Sequence, residues 1–200
     1  MSTMNARFEP WPVFYVLAYV LAFGFPVLSL LPPVAGWFEG SMRIHMLGQL
    51  PLLIGCGVVI GCLPWVQSCL RYLDPKGFVC AILVSGWLVF WMLPINLDAA
   101  QGSLSFRLLK VVSLPIFVGL TGFWAWQCLG GVGRGVLVLE AWAMLMRVGW
   151  IFLISPEQVC ANYLPYEQQQ VGKILLYFGF LSAACMVIYV FFRPEEAEKP

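Results

Sequence analysis

The only histidine of the chain, His45, stands in the stretch SMRIHMLGQLPLLIG (residues 41–55), with Met42 and Met46 beside it and Gln49 four positions on. Imidazole and thioether together suit Cu(I), because soft ligands favour a soft ion. Residues four apart lie on one side of a helix, so Gln49 shares the face of His45. Met92 falls near the outer end of a later apolar run, and Lys110 lies one or two turns inside the next. Soft and basic side chains are thereby expected to gather at one membrane face. The plainer reading of the same residues is an interfacial histidine at a helix start with ordinary methionine packing.

A second pattern is Glu140 and Arg147 in LEAWAMLMRVGW. Seven residues apart, they share a helix face, but a rise of ~1.5 Å per residue separates their Cα atoms by about 10 Å. Charges inside an apolar span turn toward the bundle interior and find a partner, which makes them candidates for function and equally for a purely structural pairing. Lys110 and Lys173 are expected to snorkel outward on their long stems.

Other chemistries find no support. A single histidine rules out bis-histidine haem ligation, and no carboxylate is placed beside it for a Ser/His/Asp or Cys/His set. GGVGRG follows no strand and reads as a short turn, not as a phosphate cradle. The seven cysteines (Cys56, Cys62, Cys69, Cys80, Cys128, Cys160 and Cys185) form no CxxC and sit mostly in apolar runs, as small polarizable hydrophobes do. No enzyme is expected.

The elements that must position these residues are membrane helices. Hydrophobic residues make up 61% of the 200 and charged residues 10%, with a mean hydropathy of +0.85, whereas soluble domains run at roughly 45–50% apolar and 25% charged. Net charge is +1, so no basic surface points to nucleic acid. The expected architecture is an all-α membrane protein, one transmembrane domain over residues 1–200. Its six spans are drawn at about 11–31, 46–66, 77–95, 106–129, 135–155 and 171–192, each near the length needed to cross a core of about 30 Å.

An even number of spans puts both termini on one side. That side carries Arg7, Arg71, Lys76, Arg134, Arg193 and Lys199, against Arg43, Arg107, Lys110 and Lys173 opposite, which favours cytoplasmic termini. The outward loops then hold Glu39, Asp98, Glu157 and Glu167, and the tail RPEEAEKP is a solvated end. Tryptophans near both sets of span ends fit the headgroup belts. Pro26, Pro51, Pro94 and Pro115 interrupt or end spans, and Gly55, Gly57 and Gly61 let another helix approach the second span.

Three stretches in order carry a resemblance. HMLGQLPLLIG (His45 to Gly55), FWMLPINLDAAQGSLSFRLLKVVSLPIFVGLTGFWAW (Phe90 to Trp126) and LPYEQQQVGKILLY (Leu164 to Tyr177) resemble the CtaG family of cytochrome c oxidase assembly factors. They recur there as a histidine-methionine helix, a Trp-Leu-Pro segment with an Asp-Ala-Ala turn, and a loop with paired glutamines before the last matched helix. The likeness covers most of the chain from Ser41 to Phe192. It implies a multi-pass protein of the bacterial inner membrane that serves maturation of a haem-copper oxidase through copper delivery.

By the same resemblance, His45 and Met46 would be outer-face ligands and Met92 a third, with Asp98 and Glu167 nearby in loops. Three of the four imidazoles in the family pattern are replaced here, by Gln49, Met92 and Lys110. Methionine binds Cu(I), whereas an amide is a poor soft ligand and an ammonium repels a cation.

Three functions follow as expectations. The first is an assembly factor-like protein holding Cu(I) transiently at the periplasmic face. The second is a metal-free accessory subunit of a membrane complex, such as one built around a respiratory oxidase. The third is a small transporter of copper or another solute, for which the apolar span centres offer little path. The lipid bilayer is a partner in all three.

Overall fold

Leu-Pro steps punctuate the chain and explain most of its helix boundaries. A proline favours extended backbone in the residue before it and fits the first turn of a helix after it. Leu31 (φ −66, ψ 132), Leu63 (φ −67, ψ 129) and Leu93 (φ −75, ψ 123) are extended, and each precedes a proline that opens a new helix. The computed structural model describes residues 11–192 except 156, 157, 159 and 161. The expectations for Arg7, Glu157 and the tail with Arg193 and Lys199 lie outside the described residues.

The helices in order are α1 Trp11–Leu28, α2 Pro32–Glu39, α3 Met42–Gly61, α4 Pro64–Leu73, α5 Phe78–Met92, α6 Pro94–Gly102, α7 Leu104–Cys128, α8 Gly131–Ile154 and α9 Pro165–Phe192. No strand occurs among the described residues. Among them, α3, α7 and α8 are each long and apolar enough to cross a membrane. The number rises to five if two bent pairs, α1 with α2 at 86° and α4 with α5 at 102°, each count as one span.

Two of the stretches expected to be outward loops therefore contain helices, α2 and α6. The supposed inner turn GGVGR is mostly helix, since α8 begins at Gly131. In each case hydrogen bonding of the backbone inside a helix satisfies groups that an irregular loop at the edge of the hydrocarbon would leave open.

Two other Leu-Pro steps behave differently. Leu50 (φ −63, ψ −50) and Leu114 (φ −61, ψ −50) stay helical before Pro51 and Pro115, so α3 and α7 run straight through. The missing proline N–H and the ring clash with the preceding turn are absorbed by widening. His45–Gln49 in α3 and Leu114–Leu120 in α7 adopt π-helical bonding, with the Leu50 N–H reaching the His45 carbonyl.

These two helices cross at van der Waals contact of backbones. A Cβ on Gly57 would stand 1.9 Å from the Pro115 carbonyl oxygen, and one on Gly119 would stand 2.1 Å from that of Ile54. Only glycine permits this approach. A second tight pair joins α8 to α9, where a Cβ on Gly172 would meet the Gly149 oxygen at 2.8 Å. The main core, from Met42, Met46 and Leu53 through Trp91, Leu114, Phe152 and Val171, fills the space between these crossings toward the end of the molecule that holds α2, α6 and the start of α9.

Candidate functional site

The start of α3 carries the sequence candidates His45 and Gln49 on its π-helical turn, both completely buried. An inserted residue of this kind re-aims side chains, and π-turns are frequent at functional sites. The end of α2 brings in Glu39, and the amphipathic first turns of α7 bring in Arg107 and Lys110, three residues apart on one face.

Glu39 is the hub. Its Oε2 receives Arg107 Nη2 at 3.1 Å and its Oε1 receives Lys110 Nζ at 3.1 Å. Lys110 also donates to Gln49 Oε1 at 3.3 Å. Lys110 has no exposed side-chain surface, and Glu39 retains only 10%. The snorkelling expected of Lys110 is thus overturned: an internal carboxylate and amide give its ammonium better company than the distant headgroups. Lys173 is exposed, as expected.

Further polar partners surround the cluster. Arg107 Nη2 donates to the Gln101 carbonyl at 3.4 Å, and the Gln101 side chain donates to Tyr163 Oη at 2.7 Å. Tyr163 lies under His45, ring centroids 6.2 Å apart. Burial, reinforced by the Glu39 carboxylate, pushes the Tyr163 hydroxyl above its ordinary range. Ser41 donates to Glu167 Oε1 at 3.3 Å. Trp91 donates to Ser113 at 2.8 Å and so pins the end of α5 to α7.

His45 is the anomaly. Neither ring nitrogen makes a hydrogen bond of good geometry among the described residues, and neither does the Gln49 Nε2, although the Gln49 amide is the polar group that faces the imidazole. Buried polar atoms of native proteins are nearly always satisfied, by protein or by ordered water. His45 therefore does not present its imidazole at the protein surface. The ring is interior, walled off by α2 and the segment before α9.

The family-pattern positions are only partly gathered. Positions 45, 49 and 110 enter one buried cluster, with Gln49 and Lys110 in direct contact. Glu167 joins at its edge through Ser41. Asp98 faces Cys160, whose thiol is pushed up to about 12 by burial and by the Asp98 charge. Met46 and Met92 turn away from the cluster into an apolar cavity of about 330 Å³, which Met144, Leu88, Val148 and Leu175 also line. Of the expected His45, Met46 and Met92 set, the two methionines share this cavity.

No three His, Cys, Asp or Glu side chains come together as a metal-holding group among the described residues. A copper ion does not fit the cluster: His45 is the one soft-compatible donor there, and the Gln49 carbonyl oxygen already accepts from Lys110 Nζ at 3.3 Å. Glu39, Arg107, Gln101 and Tyr163 are the residues that motif reading passed over. The faint signal was an acid just before the His45 helix and two basic residues at i, i+3 on another.

The second sequence pattern separates as well. Glu140 accepts a short hydrogen bond from the Ser85 hydroxyl on α5, and Arg147 lies exposed on α8 with no side-chain bond to any described residue. The expected inward partner for Arg147 is absent because α8 is a peripheral helix. Only 17% of its most apolar window is buried, against 44% for α3 and 56% for α7.

The chain matches no protein-family model, no curated protein and no solved structure.

Proposed function

We propose that this chain is a CtaG-like membrane protein of the bacterial inner membrane, acting as a metal-free accessory partner in the maturation of a haem-copper oxidase or another copper membrane enzyme. In this reading it has six spans with both termini cytoplasmic, and the Glu39–Arg107–Lys110–Gln49 cluster faces the periplasm. The observation that carries the proposal is the meeting of positions 45, 49 and 110 in one buried cluster. These are the positions at which the resemblance expects imidazoles.

In this chain an amide and an ammonium stand at two of them. The cation is built in as Lys110, and Glu39 neutralises it. An ion pair of this kind holds α2, α3 and α7 in one arrangement without any metal. What remains functional is shape: a rigid outer cap and apolar helix faces that a larger membrane protein can seat against.

A second reading has its own observation. Met46, Met92 and Met144 line one cavity, and thioethers bind Cu(I). Copper cargo would then sit among sulfurs and not at His45.

One set of measurements tests both. A deletion host is complemented with native chain, His45→Ala, or Met46→Leu with Met92→Leu, and assembled oxidase activity is measured beside copper per purified chain after anaerobic Cu(I) loading. The accessory reading expects lost oxidase activity on deletion, restoration by every variant, and copper far below one per chain. Near-stoichiometric copper that disappears in the methionine variant and persists in His45→Ala establishes the second reading. Full oxidase activity in the deletion host refutes the assembly role. A C-terminal reporter active in the periplasm refutes the orientation.

A further inference from the structure

Helix α8 carries two charges that the cluster does not use: Glu140, in the wall of a groove against α5, and Arg147, beyond the groove's end on the exposed surface. Between these helices runs an open apolar groove of about 670 Å³, lined by Phe78, Ile82 and Val89 on one wall and Gly133, Val136 and Glu140 on the other. Glu140 stands nine residues after Gly131, about 13 Å in from that helix end at ~1.5 Å per residue. Arg147 stands on the same side of α8, about 10 Å farther along and about 10 Å short of Ile154.

Within this chain, Glu140 has one donor, Ser85, and Arg147 has no described partner. Ionisable groups at such depth are costly unless they are paired. The helix that bears them is also the least buried of the three long apolar helices.

The charge pattern says what fits. A symmetric pair of identical chains in one orientation places Glu140 against Glu140 and Arg147 against Arg147, which is repulsive at both depths. Pairing of this face with its own copy is therefore disfavoured. We propose that the α5–α8 groove is the docking site for a transmembrane helix of a different protein. That helix carries a carboxylate at the depth of Arg147 and a hydrogen-bond donor, Lys or Arg, about 10 Å deeper against Glu140. This site deepens the accessory-partner reading and rests on it for the identity of the partner.

The apolar walls of the groove supply contact and the two charges supply register. Between helices in lipid there is little hydrophobic drive, so close packing and polar pairs carry the association. A partner with its charges exchanged leaves two like-charged pairs in hydrocarbon and is rejected.

The test uses the full chain in liposomes with energy transfer to synthetic leucine-rich transmembrane peptides. One peptide has Glu near its end and Lys seven residues deeper, the second has the two exchanged, and the third has neither. The first is expected to bind at least tenfold more tightly than the other two. Arg147→Leu and Glu140→Gln should each remove most of that preference. Both variants leave the interior intact, since Arg147 is exposed and an amide still accepts from Ser85.

Equal binding by the three peptides, no binding, or an unchanged preference in Arg147→Leu overturns the proposal. So does efficient energy transfer between labelled copies of the chain across the groove. A deletion host with normal oxidase and a peptide preference intact removes the assembly reading alone. Dependence of the oxidase on this chain without any peptide preference removes the groove alone.

Discussion

Replacing Glu39 by Leu keeps most of the side-chain volume and removes both oxygens that hold Arg107 and Lys110 at 3.1 Å. Arg107 retains 24% of its side-chain surface and can turn to water, whereas Lys110 has none and is left with the Gln49 carbonyl alone. Removing one partner of a buried pair costs about 3–5 kcal/mol, so the folded-to-unfolded ratio should fall by roughly two to three and a half orders of magnitude. Lys110→Met should cost less, about 1–3 kcal/mol, because Glu39 keeps Arg107 on Oε2, and what is lost is the donor to Glu39 Oε1 and to the Gln49 carbonyl.

The double variant is decisive. With the ammonium gone there is no stranded charge, so Glu39→Leu with Lys110→Met should be more stable than Glu39→Leu alone. Reversible unfolding of the purified chain in mixed micelles of rising SDS content, followed by tryptophan fluorescence, reads all four proteins. A double variant whose loss equals the sum of the two single losses, or a Glu39→Leu protein within about 0.5 kcal/mol of native, would refute the view that Glu39 exists to hold a buried cation.

Gly57→Ala sets a methyl carbon 1.9 Å from a backbone oxygen and should cost at least the ~1–3 kcal/mol of an overpacked core. Gly24→Ala, with nothing within 4 Å, should be neutral or stabilising by up to about 1 kcal/mol, and the same micelle titration compares them. Cys160, with its thiol pushed up to about 12, should resist maleimide at pH 8 while the exposed Cys62 and Cys69 react, with full labelling only after unfolding. Because its folded pKa is raised, the stability linked to Cys160 is present below the ordinary thiol range of about 8.5 and declines as pH rises from there toward 12. Rapid labelling of the folded chain at Cys160 would contradict its burial.

Much of the architecture was already legible in the one-dimensional pattern. Apolar runs near 20 residues fixed where the long helices lie to within a few positions, because the need to satisfy every backbone group in lipid leaves few alternatives to a helix. The small residues of the second span marked a close helix approach, and Gly57 makes one. The gathering of positions 45, 49 and 110 follows from their spacing near the same ends of the apolar runs. Their chemistry does not, since Lys110 was expected to reach outward and instead pairs inward with Glu39.

The parts that could not be read depend on groups distant in sequence. Glu39 and Lys110 are 71 positions apart, and no local rule says that α2 bends by 86° and sets its last residue over α7. The Leu-Pro steps show the division most clearly. At Leu31, Leu63 and Leu93 local sterics prevail and the helix ends, whereas at Leu50 and Leu114 the same dipeptide is carried through on a π-turn. The dipeptide supplies the same steric conflict each time; the glycine-mediated crossing of α3 and α7 holds those two helices continuous, so packing between helices, which no single segment contains, decided where the chain breaks and where it bends its hydrogen bonds to go on.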